Sequence, residues 1–261
     1  MLKIGIMFKN YFDDKDRIIK EMESLGVVPI LLDTKEDINL DYIFCFGGDG
    51  TILRSLKFAL FYNVPILGVN FGKIGFLTSI QYKELEKSVN ALKTNKFNTQ
   101  SRMLLDISVI RENQNVYQGV ALNEAVVIKA HNSKLIKLKL TVNKKFIYDA
   151  RADGLIVSTP TGSTAYSLSA RGPIVMPNTQ VLLVTPLNSS KLNISSIVLD
   201  KYDVIEIVPV ENHVMHLQSD GNVTTDIHCN DKIVIKKSDK TINFVVLSEN
   251  NFYHKIRKLL C

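Results

Sequence analysis

An aspartate stands among glycines in Gly47-Gly48-Asp49-Gly50-Thr51. The apolar run Tyr42-Ile43-Phe44-Cys45-Phe46 precedes it, and Ile52 to Leu60 follows with helical spacing of its apolar residues. Such a loop sits at the carboxyl end of a buried strand where a helix begins, which is where open α/β sheets bind ligands. Glycines let the backbone turn sharply and approach a ligand closely, and a helix N-terminus attracts phosphate oxygens. An acid among phosphate-attracting amides must do something else: activate a hydroxyl or orient a metal.

A second segment runs from Asp153-Gly154 through Ser158-Thr159-Pro160-Thr161-Gly162-Ser163-Thr164-Ala165-Tyr166-Ser167-Leu168-Ser169 to Gly172-Pro173. A strand enters a turn dense in hydroxyls, which supply donors and acceptors at close spacing, and Tyr166 offers a flat face for a base together with a polar tip. A turn capped by its own hydroxyls would have the same composition; the length of the segment and its density of hydroxyls favour a ligand site. Asn123-Glu124 interrupts two apolar runs. By itself the pair reads more simply as a bulge or turn than as an amide and a carboxylate aimed into a cleft. Gly72-Lys73-Ile74-Gly75-Phe76-Leu77 follows the fourth strand and stands beside Gly47–Thr51 across the sheet edge.

The elements that position these residues change character along the chain. Up to about residue 99, strands and helices alternate: strands over Lys3–Phe8, Val27–Leu32, Tyr42–Phe46 and Val64–Val69, with helices from Asp13 or Asp14 to Leu25, from Thr51 to about Phe61 and from about Lys83 to Leu92. This rhythm implies a parallel sheet. Ile18, Ile19, Met22 and Leu25 follow helical spacing, and Gly26 closes that helix. From 100 to 248 strand-like runs follow one another, among them Leu104–Arg111, Val116–Leu122, Ala125–Lys129, Leu135–Val142, Lys145–Tyr148, Leu155–Ser158, Val181–Val184, Val204–Val208, His213–Leu217, Lys232–Ile235 and Ile242–Val246. Residues 249–261 form a short helix or tail. The expected organisation is an α/β domain over 1–99, a mostly-β domain over 100–248 and the terminal segment.

Bulk properties narrow the partners. The 261 residues carry a net charge of +6, with 46% hydrophobic and 22% charged residues, as in a globular protein. The positive balance suits a polyanionic small ligand or an ordinary solvated surface. No basic block or aromatic-interleaved basic motif points to nucleic acid, and no apolar run approaches a membrane span. Cys45, Cys229 and Cys261 are far apart, which argues against a disulfide framework or zinc site and for a reducing cytoplasm. The amino terminus has too short an apolar run for a signal peptide. Walker A, dinucleotide-fingerprint, serine-hydrolase and zinc-protease motifs are all missing.

Taken together, these segments resemble the NAD kinase family. The loop Gly47–Thr51 alone also resembles diacylglycerol and sphingosine kinases and, more loosely, 6-phosphofructokinases. The order of the loop, Gly72–Leu77, Asn123-Glu124 and Asp153–Ser169 narrows the resemblance, which spans roughly Lys3 to Val246. It implies an α/β nucleotide-binding domain followed by a β-sandwich-like domain, assembled as a homodimer or homotetramer. The implied reaction is transfer of the γ-phosphate of ATP to the 2′-hydroxyl of the adenosine ribose of NAD, with a divalent cation, Mg²⁺ by preference. Competing readings are a lipid kinase sharing the loop and a non-catalytic dinucleotide sensor.

By the same resemblance Asp49 is the catalytic aspartate and lies against the dinucleotide with Gly50. Asn123 and Glu124 hold ribose hydroxyls. Arg151 and Asp153 match positions at the nicotinamide end, and Thr164, Ala165, Tyr166, Ser167, Leu168 and Ser169 frame adenine and ribose. Asn222 stands where the family often has glutamine. Gly47, Gly48, Thr51, Arg54, Phe76 and Lys134 are weaker matches to nucleotide or phosphate contacts. One stretch departs from the family: after Thr185-Pro186 a histidine and an arginine are missing, and the chain reads Leu187-Asn188-Ser189-Ser190-Lys191-Leu192-Asn193-Ile194-Ser195-Ser196.

Overall fold

The structure, a computed structural model, describes residues 1–261 except 35, 36, 73, 74, 132, 192, 248–251 and 261. In chain order the elements begin with β1 (Lys3–Phe8), α1 (Lys15–Ser24), β2 (Val28–Leu31), β3 (Tyr42–Phe46), α2 (Asp49–Tyr62), β4 (Ile66–Asn70), β5 (Ile80–Gln81) and α3 (Leu85–Lys93). They continue as β6 (Asn98–Arg111), β7 (Gln114–Ala121), β8 (Glu124–Lys129), β9 (Ile136–Val142), β10 (Lys145–Ala152), β11 (Gly154–Ser158) and the single-turn α4 (Tyr166–Ser169). The last are β12 (Val181–Leu187), β13 (Ile197–Asp200), β14 (Ile205–Pro209), β15 (Met215–Ser219), β16 (Asn222–Ile227), β17 (Lys232–Val246) and α5 (Phe252–Leu260).

Two compact units result: Met1–Ser101 with Ile242–Cys261, and Arg102–Thr241. This corrects the expected division, which left Ile242–Val246 with the β-rich part. The runs Lys232–Ile235 and Ile242–Val246, expected as two strands, are one strand, and its end pairs in parallel with β4 through Phe244 and Ile66.

The first unit carries parallel strands in the order β17-β4-β3-β1-β2, with β5 beside β4. β3 is buried along its whole length, as a parallel strand covered on both faces must be. Within it Cys45 packs as an apolar side chain, and burial pushes its thiol up to about 12. From β1 the chain passes to β2 on one side and then to β3 on the other. The strand order therefore reverses between β1 and β3, and ligands bind beyond the carboxyl ends of strands at such a switch point. α1 packs through Ile18 and Met22 as its periodicity requires, and Gly26 at φ +66 ends it. Asp14 occupies the N-cap position but makes no capping bond; its carboxylate pairs with Arg17 at 3.0 Å instead.

The second unit is built of two antiparallel sheets. One contains β10-β9-β14-β17, and the other runs β13-β12-β11-β8-β15-β16. Alternate residues of both point into one core: Leu138, Leu140, Ile205, Ile207, Ile233 and Ile235 from the first, Ala125, Val127, Leu155, Val157, Leu182 and Leu217 from the second. This is the β-sandwich-like arrangement that the resemblance implies. The opposite face of the second sheet carries a smaller cluster, Val126, Ile156 and Leu187, against which Ala170 packs. β5, β13 and β16 are strands the apolar pattern did not reveal. β16 is mostly exposed and β13 only half-buried, so neither has the buried run that marks a strand.

Phe44 is fully buried in the first unit's core. Replacing it with alanine is expected to cost about 3–5 kcal/mol of unfolding free energy, read as a lower urea midpoint with unchanged slope; a loss below ~1 kcal/mol would contradict this packing.

Candidate functional site

Gly48, in an extended conformation, caps α2, so the helix begins at Asp49 rather than at Thr51 and the acid lies in its first turn. Phe76 N–H donates to Asp49 Oδ2 and Leu77 N–H to Oδ1, both at 2.9 Å. A Cβ on Gly75 would lie 2.2 Å from Asp49 Oδ1, so only glycine lets the loop come this close. Gly75 N–H donates to Thr78 Oγ1 at 2.8 Å, which closes the loop on itself. The expected juxtaposition of Gly72–Leu77 with Gly47–Thr51 is thereby met, although Lys73 and Ile74 lie outside the described residues.

The glycines of the first loop differ in kind. A Cβ on Gly47 would strike Thr51 Oγ1 at 2.3 Å, whereas Cβ atoms on Gly48 and Gly50 meet nothing within 4 Å. Gly47 is needed by the fold, and the other two leave open space beside the carboxylate. Arg54 donates to Asn10 Oδ1 and, at 2.8 Å, to Phe8 O. Its guanidinium is thus anchored at the carboxyl end of β1. Phe76 stacks edge-on against Phe252, with ring centroids 6.1 Å apart.

In the second unit Asn123 and Glu124 are both buried. Asn123 lies in the connection between β7 and β8, and Glu124 opens β8 opposite Ser158 of β11. The turn is clamped from two sides. Asp220, between β15 and β16, accepts from Leu122 N–H at 2.9 Å, Asn123 N–H at 2.7 Å and Glu124 N–H at 3.3 Å. Thr159 donates through its amide to Asn123 O at 2.9 Å and through its hydroxyl to Leu122 O at 2.6 Å. Glu124 Oε2, Ser158 Oγ and Thr161 Oγ1 are buried without a partner among the described residues.

Burial and then the charge of Asp220 push the Glu124 carboxyl up to about 7, against a smaller opposing effect of the Tyr166 amide. Burial also raises Asp220, but its three main-chain donors favour the charged form. Asp220 therefore keeps the charge of this pair, and Glu124 takes the proton.

Asp153 lies at the other end of β11. Five residues of extended strand put it about 16 Å from Ser158. It pairs with Lys129 Nζ at 2.8 Å and accepts from Asn188 Nδ2 at 2.8 Å, contacts that hold its carboxyl below the usual range. Arg151 pairs with Glu211 at 2.5 Å on the surface. The segment after β11 packs back on the sheet through Ala170, and a groove of about 1000 Å³ is lined by Tyr166, Ser169, Arg171, Leu187, Asn188 and Lys191. Tyr166 and Ser169 are exposed.

Not every hydroxyl of the segment faces outward. Ser163 bonds to Pro160 O and Val175, and Ser167 Oγ sits 3.1 Å from Thr185 Oγ1 in the interior. For Ser163 the self-capping reading holds, whereas Ser167 is engaged by the side chain of Thr185 on β12. Thr164 Oγ1 makes a long bond to Thr161 O at 3.4 Å, while Ala165 and Leu168 are half-buried beside it. Asn222 is exposed and donates to Asp220 O at 3.3 Å; Lys134 is exposed in the β8–β9 connection.

Sequence reasoning missed Asp220, Lys129 and Asn188. The only signal for Asp220 was its place in Ser219-Asp220-Gly221-Asn222, and Asn188 belongs to the stretch that departs from the family.

Residues 29–97 match the ATP-NAD kinase N-terminal domain and residues 122–247 the ATP-NAD kinase C-terminal domain. The chain belongs to the ATP-NAD kinase family. The NAD kinase of Caldanaerobacter subterraneus subsp. tengcongensis is 38% identical over 221 residues, covering 84% of this chain and 78% of that protein. That of Acetivibrio thermocellus is 34% identical over 281 aligned positions, covering 98% and 96%. Among solved structures, an NAD kinase from Archaeoglobus fulgidus in complex with ATP aligns with a TM-score of 0.78 at 25% identity, over 98% of this chain and 99% of that one. Yeast NADH kinase complexed with NADH aligns with a TM-score of 0.90 at 24% identity, over 100% and 87%, and shows the shared fold.

As an NAD kinase the chain is an enzyme that moves the γ-phosphate of ATP to the 2′-hydroxyl of the adenosine ribose of NAD, making NADP. The lipid-kinase and sensor readings find no support in these matches.

A buried carboxyl raised in the fold contributes stability that is present below its ordinary value of 4.5 and is lost as pH rises to about 7. Glutamine imitates its protonated form. Without NAD, Glu124→Gln is expected to match the parent at pH 4 and to exceed it by ~1–3 kcal/mol at pH 8. Urea unfolding at the two pH values checks this; parent and variant equally stable at both would show that the fold does not raise the Glu124 carboxyl.

Proposed function

We propose that Asp49 is the residue that orients the 2′-hydroxyl of NAD and accepts its proton, and that the second unit holds the dinucleotide. The observation that carries the reading is the fixed carboxylate at the switch point of the first sheet. Two of the lone-pair positions of Asp49 are taken by Phe76 and Leu77 amides, and a carboxylate has about four. The remainder can meet a hydroxyl. A carboxylate is a weak base towards an alcohol, so the proton moves late, as the bond to phosphorus forms. In a loose phosphoryl transfer, positioning and charge neutralisation supply most of the rate.

The second unit supports a ligand with two ends. At one end Glu124, Ser158 and Thr161 present buried polar atoms to ribose hydroxyls, with Asn123 beside them. At the other, about 16 Å along β11, Asp153 is held by Lys129 and Asn188. The groove that runs from Tyr166 to Asn188 supports a place for the ligand beside these residues. A dinucleotide has the corresponding length, with a base against Tyr166, while Ala165, Leu168 and Ser169 border it. Asn188 orients Asp153 through the hydrogen bond that it donates. Arg151, Asn222, Lys134 and Arg54 are outer contacts of the ligand.

Asp49 would be the residue to hold a divalent cation, through the lone pairs that Phe76 and Leu77 leave open, and the cation would neutralise charge on the phosphate oxygens. Phe146 and Ile147 on β10, both exposed, support assembly as a homodimer or homotetramer. Among the described residues no helix is long and apolar enough to cross a membrane. The cytoplasm is the compartment proposed, on the spacing of the cysteines.

Asp49→Asn is expected to lose most NADP formation with ATP, Mg²⁺ and NAD, while NAD affinity stays within a few-fold. Near-parental turnover would remove Asp49 from the mechanism. Tyr166→Ala should weaken NAD binding by about 1–3 kcal/mol, the scale of a base–aromatic stack, as titration calorimetry would measure; unchanged affinity would make Tyr166 structural.

A further inference from the structure

The loop that holds Asp49 has a second side. Its amides, at Phe76 and Leu77, face the carboxylate; its carbonyls face α5. Lys255 Nζ donates to Phe76 O and to Thr78 O, both at 3.0 Å. Phe252, three residues earlier on the same helix, packs against the Phe76 ring. The end of β17 joins in, because Val245 O accepts from Ser79 Oγ at 2.9 Å. The end of β17 and α5, distant in sequence, thus brace residues 76–79 from behind.

The Phe76 carbonyl and the Leu77 N–H belong to one peptide plane. Lys255 donates to its oxygen, and its N–H donates to Asp49 Oδ1 at 2.9 Å. The three groups form a continuous line: ammonium, peptide, carboxylate. A cation on a carbonyl polarises that peptide and makes its N–H a stronger donor, since hydrogen bonds in a chain reinforce one another and charge-assisted bonds are about twice as strong as neutral ones. The bond from Lys255 to Thr78 O fixes the plane's orientation from the far side of the loop.

We propose that Lys255 is a positioning residue for phosphoryl transfer, acting on Asp49 through the Phe76–Leu77 peptide, so that α5 is part of the catalytic apparatus. The inference rests on the reading of Asp49 given above. It makes a demand that a purely fastening role for α5 does not: loss of the ammonium must slow the chemical step more than it weakens substrate binding. Lysine is the suitable residue, because a compact ammonium with three donors can serve two carbonyls on one loop.

The full-length enzyme is compared as parent, Lys255→Met, Lys255→Arg and Asp49→Asn. NADP formation, the KM values for NAD and ATP, the thermal midpoint and the exchange rates of the Phe76 and Leu77 amides are measured for each. Lys255→Met is expected to lower kcat about 10- to 100-fold, the scale of a displaced catalytic group, with both KM values within about twofold. The Leu77 amide should exchange faster, and Lys255→Arg should recover most of kcat. If Lys255→Met does not fold, Lys255→Gln, which keeps a donor without the charge, carries the same comparison. Turnover of Lys255→Met within twofold of the parent, with Asp49→Asn inactive, overturns the inference and leaves the Asp49 reading standing. Losses that are equal in the Met and Arg variants and follow the thermal midpoint overturn it too. An active Asp49→Asn removes the reading on which it rests.

Discussion

Two consecutive main-chain amides grip the carboxylate of Asp49, and much of the first unit is arranged so that they can. Phe76 and Leu77 reach it only because Gly75 has no side chain to collide with Oδ1. Asp49 reaches them only because Gly48 caps α2 one residue before it. β3 and β4 lie side by side and parallel, so the loops that leave their carboxyl ends are neighbours. A carboxylate held by main chain on both oxygens has little freedom left, and an orienting acid must have little. The same preference for fixed dipoles over mobile side chains is what makes preorganised sites effective, since no reorganisation is needed during the reaction.

The second unit solves a different electrostatic problem. It buries two carboxyls, Glu124 and Asp220, close together. The donors are unequal: Asp220 takes three amides, whereas Glu124 takes the Tyr166 amide and keeps one buried oxygen, Oε2, without a partner among the described residues. The asymmetry assigns the pair two tasks. Asp220 staples the turn over 122–124 to the β15–β16 hairpin, and Glu124 is left with capacity to bond to a ligand hydroxyl.

Several features could be read from residue order alone. The period-3.6 spacing of Ile18 and Met22, the buried run of β3 and the glycines around Asp49 each depend on neighbours in sequence, and each stands as expected. The divide between an α/β part and a β-rich part was legible for the same reason. Other features were hidden. β16 is largely exposed, so it has no hydrophobic pattern to detect. β17 appeared as two strands because the charged and polar residues between Lys236 and Thr241 interrupt its apolar run. Ser167 looked like a ligand contact in a hydroxyl-rich segment, yet its side chain turns inward to Thr185, which comes beside it only when β11 and β12 pair.

The sequence by itself determined the kind of chemistry: an acid among glycines after an apolar run, and a long hydroxyl-rich segment with one aromatic. These are properties of short contiguous stretches, where residue type and spacing suffice. Tertiary structure decided which groups are held and by what. The amides on Asp49 come from 27 and 28 residues away, the clamp on Asn123 and Glu124 from nearly 100, and the ammonium behind Phe76 from 179. Charge state and orientation depend on such distant partners, because a carboxyl responds to the donors and burial around it in space, and those exist only once the chain has folded.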